Sequence, residues 1–153
     1  AVFYKSPKDA AKNCDALLIC VSDDDAVESV LFGKNGAAKN LRQESIVIDF
    51  STITPSKSRA FAKKLSKDSV TYIDAPVSGG TEGAKSGNLS IFLGTDENTK
   101  NKLSLLLGCG ILKWKIVYYY FIFRQFLSIR PSKSIKYFPN ASFFAIFCIS
   151  FLS

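Results

Sequence analysis

Two short apolar runs constrain the fold of this chain more than anything else in it. Ala16–Val21 (A-L-L-I-C-V) is continuous and of strand length, and Ser45–Phe50 (S-I-V-I-D-F) is a second run of the same kind. A strand with no polar face must be covered on both sides, as a parallel strand is inside an α/β sheet. Each run leads into a helix start. Ser22 and Asp23–Asp25 cap a helix in which Val27, Val30 and Leu31 share one face, and Gly33 stops it. After Ser51-Thr52, the pair Thr54-Pro55 supplies an N-cap and a first-turn proline. The helix that follows turns Phe61 and Leu65 inward and leaves Lys57, Arg59, Lys63 and Lys64 solvated. Ser6-Pro7 repeats the signal for a short helix through Lys12. Val70–Ile73 and Leu89–Leu93 complete the strands, and Thr95 or Asp96 caps a helix carrying Leu103, Leu106 and Leu107 as far as Gly108. This alternation predicts an open, mostly parallel α/β sheet.

Between the last two strands lies the densest polar stretch, Asp74–Leu89 (D-A-P-V-S-G-G-T-E-G-A-K-S-G-N-L). Grouped glycines let a backbone approach a ligand and turn its N–H groups toward an anion, and Ser78 adds a hydroxyl donor. We read the loop as a cradle for a small acid rather than a plain Gly-rich hairpin. A phosphate-binding P-loop is the sharper rival, since Lys85-Ser86 falls in register from Gly79. It fails because Ala84 stands where that motif needs glycine, and because the loop is expected to return to a strand at Asn88–Leu93 rather than open a helix. Ligands of parallel sheets gather beyond the C-terminal strand ends. That points to Val21-Ser22, Ser51-Thr52 and Ser78-Gly79-Gly80, although a simple turn before a capped helix accounts for Ser51-Thr52 equally well.

Composition narrows the chemistry. The chain of 153 residues has no histidine, and its four cysteines (Cys14, Cys20, Cys109, Cys148) form no C-x-x-C pair. A zinc site and any imidazole-based triad are therefore excluded, and no metal is expected. Scattered thiols suit a reducing compartment, with Cys20 a small core residue. The net charge of +7 is uneven: residues 1–110 carry all 13 acidic groups and 14 of the 20 basic ones, whereas residues 111–153 carry six basic groups and no acid. The basic character thus belongs to the tail and gives no reason to expect a nucleic-acid partner. A start at Ala1, with no leading strand, gives the expectation that an N-terminal segment is missing.

The motifs together resemble the β-hydroxyacid dehydrogenase family, which includes 3-hydroxyisobutyrate dehydrogenases and glyoxylate or succinic semialdehyde reductases. D-A-P-V-S-G-G at Asp74–Gly80 and G-A-K-S-G-N-L at Gly83–Leu89 carry the resemblance, supported by I-D-F-S-T-I-T-P at Ile48–Pro55 and C-V-S-D at Cys20–Asp23. It covers roughly Asp15 to Gly108. The fold it implies is a partial Rossmann-type, doubly wound, mostly parallel sheet. The activity it implies is hydride transfer between NAD or NADP and the carbonyl or alcohol carbon of a short hydroxy acid or semialdehyde. Carried over by position, Ser78, Gly79 and Gly80 hold the substrate carboxylate, with Asn88 shaping the substrate side. Val21 and Ser22 line the cofactor, and Ser51 and Thr52 lie beside the nicotinamide ribose.

The departures matter as much. The family's pyrophosphate loop, G-x-G-x-x-G, has no counterpart before Ala16, so nothing in the chain chooses between NAD and NADP. The family's catalytic lysine lies in a glycine-rich helical context that Lys113 and Lys115 lack, so no residue is assigned a catalytic role. We therefore expect a partial NAD(P)-binding domain over residues 1–110, inactive alone. Its parent would be a homo-oligomer paired through a missing helical domain, cytoplasmic or mitochondrial. The rival is a non-catalytic dehydrogenase-like module for binding or oligomerisation. Residues 111–153 form an irregular aromatic tail holding 13 of the 20 aromatics. Neither of its apolar runs reaches the roughly 20 residues of a spanning helix, so a membrane partner is not favoured. Its other readings are a pair of buried strands, with Ile116–Phe123 joining the sheet, or a segment from a misread exon boundary or frame change, which the loss of all acids favours.

Overall fold

The computed structural model describes residues 2–86, 89–96, 98–99, 103, 119–121, 135–139 and 145–149. It divides into two compact units, one of Ala1–Ile73 with Pro131–Ser153 and the other of Asp74–Arg130. Along the chain the elements are β1 (Val2–Phe3), α1 (Pro7–Ala10), β2 (Ala16–Cys20), α2 (Asp24–Phe32), β3 (Ile46–Asp49), α3 (Pro55–Ser66) and β4 (Thr71–Asp74). There follow β5 (Val77–Ser78), α4 (Gly80–Ser86), β6 (Leu89–Ile91), β7 (Tyr119–Phe121), β8 (Ile135–Pro139) and β9 (Ala145–Ile149).

In the first unit the two apolar runs lie side by side in parallel, with Leu17 opposite Val47 and Ile19 opposite Asp49. Strand β4 flanks β3 on its other side. Every residue of β3 and the first four of β2 are buried, which is why neither sequence alternates. Helices α2 and α3 supply cover. Val27 and Leu31 of α2 and Phe61 and Leu65 of α3 close a core with Leu17, Ile19, Val47 and Val70. The Phe61 ring sits 5.7 Å from that of Phe32 and meets Tyr72 edge-on at 6.2 Å.

The helix ends follow the sequence signals, with instructive exceptions. Asp23 caps α2, accepting from the Ala26 N–H at 2.9 Å. Gly33 does end α2, but its φ is −59°, so the left-handed turn usual for such a glycine is absent. It is needed for space instead, because a Cβ there would lie 2.4 Å from the Ser29 carbonyl oxygen. Helix α1 stops short of Lys12, and Asn13 takes a φ of 59°. Thr54 stands at the N-cap position of α3 without capping it. Its N–H and Oγ1 both donate to the Asp24 carboxylate, at 2.8 and 2.6 Å, so the first turns of α2 and α3 are tied together. Glu28 and Lys57 pair across the same two helices.

Four expectations are corrected. A strand does lead the chain, the two-residue β1, too short to show a pattern in sequence. The tail, expected to be irregular, contributes β7, β8 and β9, consistent with the β-branched and aromatic composition of I-K-Y-F-P and A-I-F-C-I. Strands β8 and β9 form an antiparallel pair inserted between β1 and β2, and β9 runs antiparallel to β2, so the sheet order is β1-β8-β9-β2-β3-β4. Third, a helix, α4, follows Gly79 directly where a return to strand was expected. Last, Cys14 is disulfide-bonded rather than a thiol, while Cys20 is free.

The second unit is a small sheet in the order β5-β6-β7, antiparallel throughout, with Val77 opposite Ile91 and Ser78 opposite Ser90. One reading of the tail has Ile116–Phe123 pairing to the sheet; Tyr119–Phe121 pairs here, with β6 of the small sheet. Asp96 accepts from the Thr99 N–H at 2.7 Å, as an N-cap should, and Leu103 is buried; Leu106, Leu107 and Gly108 lie outside the described residues. Among the described residues no helix is long and apolar enough to cross a membrane.

The packing yields a direct test. Phe61→Ala removes the ring that joins α3 to Phe32 and Tyr72, and should lower the unfolding free energy by about 3–5 kcal/mol. Arg59→Ala, on the exposed side of the same helix, should change it by no more than about 0.5 kcal/mol. Urea titration of both variants measures the difference.

Candidate functional site

The strand ends of the first unit are organised from below by a buried acid. Asp49, the last residue of β3, has no exposed surface. Its carboxylate accepts from the Ser51 N–H at 2.9 Å and from the Tyr72 hydroxyl at 2.7 Å. Burial raises the pKa of Asp49 above the usual carboxylate range, and these hydrogen bonds pull the other way without cancelling the rise. Cys20, at the end of β2, has its thiol pKa raised by burial first and by the charge of Asp49 second.

Ser51 is only 2% exposed. Its hydroxyl accepts the Val21 N–H at 2.9 Å, which joins the ends of β2 and β3. Ser22 and Thr52 are exposed, and the Ser22 hydroxyl donates to Asp23 at 2.6 Å. Of the four residues expected to line a cofactor, Val21 and Ser51 are thus bonded to each other, while Ser22 and Thr52 project at the surface. Neighbouring Asp23, Asp24 and Asp25 fill the first turn of α2. The partial positive charge of that helix end is already neutralised there, so a phosphate gains nothing from it.

In the second unit Ser78, Gly79 and Gly80 are all exposed. Gly79 has a φ of 133° and Gly80 a φ of 57°, both in the region that favours glycine. A Cβ on Gly80 would meet nothing within 4 Å, so its constraint lies in the backbone alone. The Gly79 carbonyl accepts the Gly83 N–H at 2.8 Å, which turns the chain from the loop into α4. Below the loop, Gly94 N–H donates to the Asp74 carbonyl at 2.8 Å and Phe92 N–H to that of Pro76 at 3.0 Å. Asn88 lies outside the described residues. Although α4 follows the glycines, Ala84 still stands where a P-loop needs glycine.

A family model described as the NAD binding domain of 6-phosphogluconate dehydrogenase matches residues 1–110. The chain belongs to that family. The resemblance to β-hydroxyacid dehydrogenases holds among its relatives too. It is 39% identical over 97 residues to 2-hydroxy-3-oxopropionate reductase of Escherichia coli, covering 63% of this chain and 33% of that protein. Against mitochondrial 3-hydroxyisobutyrate dehydrogenase of Rattus norvegicus it is 39% identical over 104 residues, covering 68% of this chain and 31% of the relative. The solved 3-hydroxyisobutyrate dehydrogenase of Salmonella typhimurium superposes with a TM-score of 0.59 at 31% identity, over 67% of this chain and 35% of that one. The chain therefore spans about a third of the length of these relatives. The Rossmann-type sheet inferred from the alternation is the fold they share.

Asp49 is the residue the sequence pattern passed over. Its signal was present, as a lone carboxylate in an otherwise apolar, doubly covered strand. A buried acid of this kind requires donors, and the two residues it uses both follow it in sequence, Ser51 just beyond the strand and Tyr72 on β4. The raised pKa gives a pH test. The folded state holds this proton more tightly than the unfolded chain, so the stability linked to Asp49 is fully present below the ordinary carboxylate value, about 3.9. It declines as pH rises through the raised value. Asp49→Asn should lack that component. Denaturation midpoints of both proteins across the acid range should therefore differ by an amount that changes with pH.

Proposed function

We propose that the chain is the nucleotide-binding and carboxylate-binding part of an NAD- or NADP-dependent oxidoreductase acting on a short hydroxy acid or semialdehyde. The observation that carries this is the match of residues 1–110 to a dinucleotide-binding family. Within that match, Asp74–Leu89 reproduces the signature of the hydroxyacid dehydrogenases. In the first unit, Val21, Ser22, Ser51 and Thr52 belong to the cofactor, and in the second, Ser78, Gly79, Gly80 and Asn88 belong to the substrate carboxylate. A cofactor of this class supplies a hydride donor and acceptor. The exposed hydroxyl of Thr52 suits the ribose portion, whereas the three aspartates of α2 suit no phosphate. The pyrophosphate contacts must come from residues other than these.

The residues here bind and orient. A clamped carboxylate fixes the position of the carbon beside it, and holding reactants in register is a large part of what such an enzyme contributes. Serine and two glycines can do this with O–H and N–H donors and need no cationic side chain. No residue of the chain is assigned proton transfer, so the chain alone binds without turning over. The parent protein pairs its subunits through a helical domain and works in the cytoplasm or mitochondrion.

Isothermal titration of the chain with NADH and NADPH should show binding of at least one. Thr52→Ala should weaken it by a few-fold to tenfold, the scale of one hydrogen bond at about 0.5–1.5 kcal/mol. With glyoxylate, succinic semialdehyde or 3-hydroxyisobutyrate, no steady turnover of nicotinamide should appear. Continuous turnover would refute the assignment of roles, and failure to bind either nucleotide would remove the cofactor role of this chain.

A further inference from the structure

We propose that Ser51 is a positioning residue and not a cofactor ligand: with Asp49 beneath it, its hydroxyl holds the Val21 amide and so sets the shape of the β2 end. The inference rests on the cofactor role proposed above for Val21, and changes the part of Ser51 in it from contact to positioning. Family position puts Ser51 in line to touch the nucleotide, but the hydrogen bonding leaves its hydroxyl little to offer. The oxygen accepts the Val21 N–H at 2.9 Å. The residue is 2% exposed, whereas its neighbour Thr52 is exposed.

The arrangement runs across three strands in one direction. The Tyr72 hydroxyl, on β4, donates to one oxygen of Asp49 at 2.7 Å, and the Ser51 N–H donates to the other at 2.9 Å. With both oxygens of Asp49 bonded, the Ser51 backbone that donates to one of them is held in place, and the serine oxygen faces the Val21 amide. The Val21 N–H then has a fixed partner 30 residues away in sequence. Beyond β2 that amide has lost its ladder: the β2–β3 register ends with Ile19 opposite Asp49, and the Phe50 N–H donates to the Ile19 carbonyl at 2.7 Å. The serine thus replaces the next rung of the sheet. A buried N–H left without a partner is costly, so the hydroxyl keeps the strand end from opening at the point where the cofactor residues begin.

Amide hydrogen exchange on the 153-residue chain, resolved at Val21, tests this directly. Ser51→Ala should speed Val21 exchange by on the order of tenfold or more, and Ser51→Thr, which keeps the hydroxyl, should restore protection. Tyr72→Phe should give a smaller increase by releasing one side of Asp49. This last variant covers the case in which Asp49→Asn fails to fold. Titration with NADH and NADPH on the same proteins should show Ser51→Ala binding more weakly in step with the loss of protection. Val21 remaining protected in Ser51→Ala would overturn the proposal, and so would weakened nucleotide binding with Val21 still protected, since that would make the hydroxyl a direct ligand. A wild-type chain that bound neither nucleotide would remove the cofactor role alone, because the exchange data decide the part played by Ser51 regardless.

Discussion

A carboxylate placed under the ends of three strands, with no exposed surface, is the constraint that shapes this sheet. Taking an ionised group out of water costs several kcal/mol even after the surroundings relax, and only hydrogen bonds or opposite charges can offset that. Among the described residues no cation bonds to Asp49; its hydrogen-bond donors are the Tyr72 hydroxyl and the Ser51 amide. Burial still prevails, as the raised pKa shows. The chain keeps the acid nonetheless, and its cross-strand donor, Tyr72, must be in register for the bond to form. If β3 slipped by one residue, the side chain of Asp49 would turn to the other face of the sheet and lose Tyr72. Apolar packing alone specifies register less sharply, because Ile, Val and Leu can substitute for one another at modest cost. The acid thus exchanges some stability for a single arrangement of the strand ends.

Much of the first unit was legible in sequence for simple reasons. Strands β2 and β3 are covered on both faces, so their apolar runs could not be mistaken for amphipathic surface strands, and the aspartate and Thr-Pro signals marked where α2 and α3 begin. What was not legible depended on contacts distant in sequence. Thr54 has the composition of an N-cap, yet Asp24, 30 residues earlier, takes both of its donors. Gly33 has the composition of a left-handed stop, yet its need is for room beside Ser29. In both cases the residue type was read for a local use, and a tertiary contact supplied a different one. The same holds for Ser51, whose position suggested a ligand and whose hydroxyl is spent on Val21.

The second unit shows the opposite balance. Its loop was legible as a glycine-rich, exposed, anion-compatible turn, because φ values of 133° and 57° at Gly79 and Gly80 are what only glycine adopts at little cost. The element after it was not. G-T-E-G-A-K-S contains two glycines in seven residues, and glycine lowers helix propensity by about 1 kcal/mol each, so sequence alone favours a loop over α4. The tail was harder still, for it has neither helical periodicity nor caps. Its aromatic and β-branched runs allowed buried strands as one reading among several but did not decide for them, since an unpatterned strand carries little register information.

The two units also divide the electrostatics in a way that bears on the chemistry. At the end of β2, Asp23, Asp24 and Asp25 place negative charge on the first turn of α2, two of them with pKa values lowered by hydrogen bonds from Ser22, Ala26 and Thr54. Asp23 and Asp24 stay ionised at neutral pH, and an anion brought there meets repulsion where a bare helix end would attract it. The Ser78-Gly79-Gly80 loop carries no such charge within it; Glu82 is the first acid beyond, on α4. An anion is therefore repelled at the first turn of α2, whereas the loop itself carries no charge that would repel one.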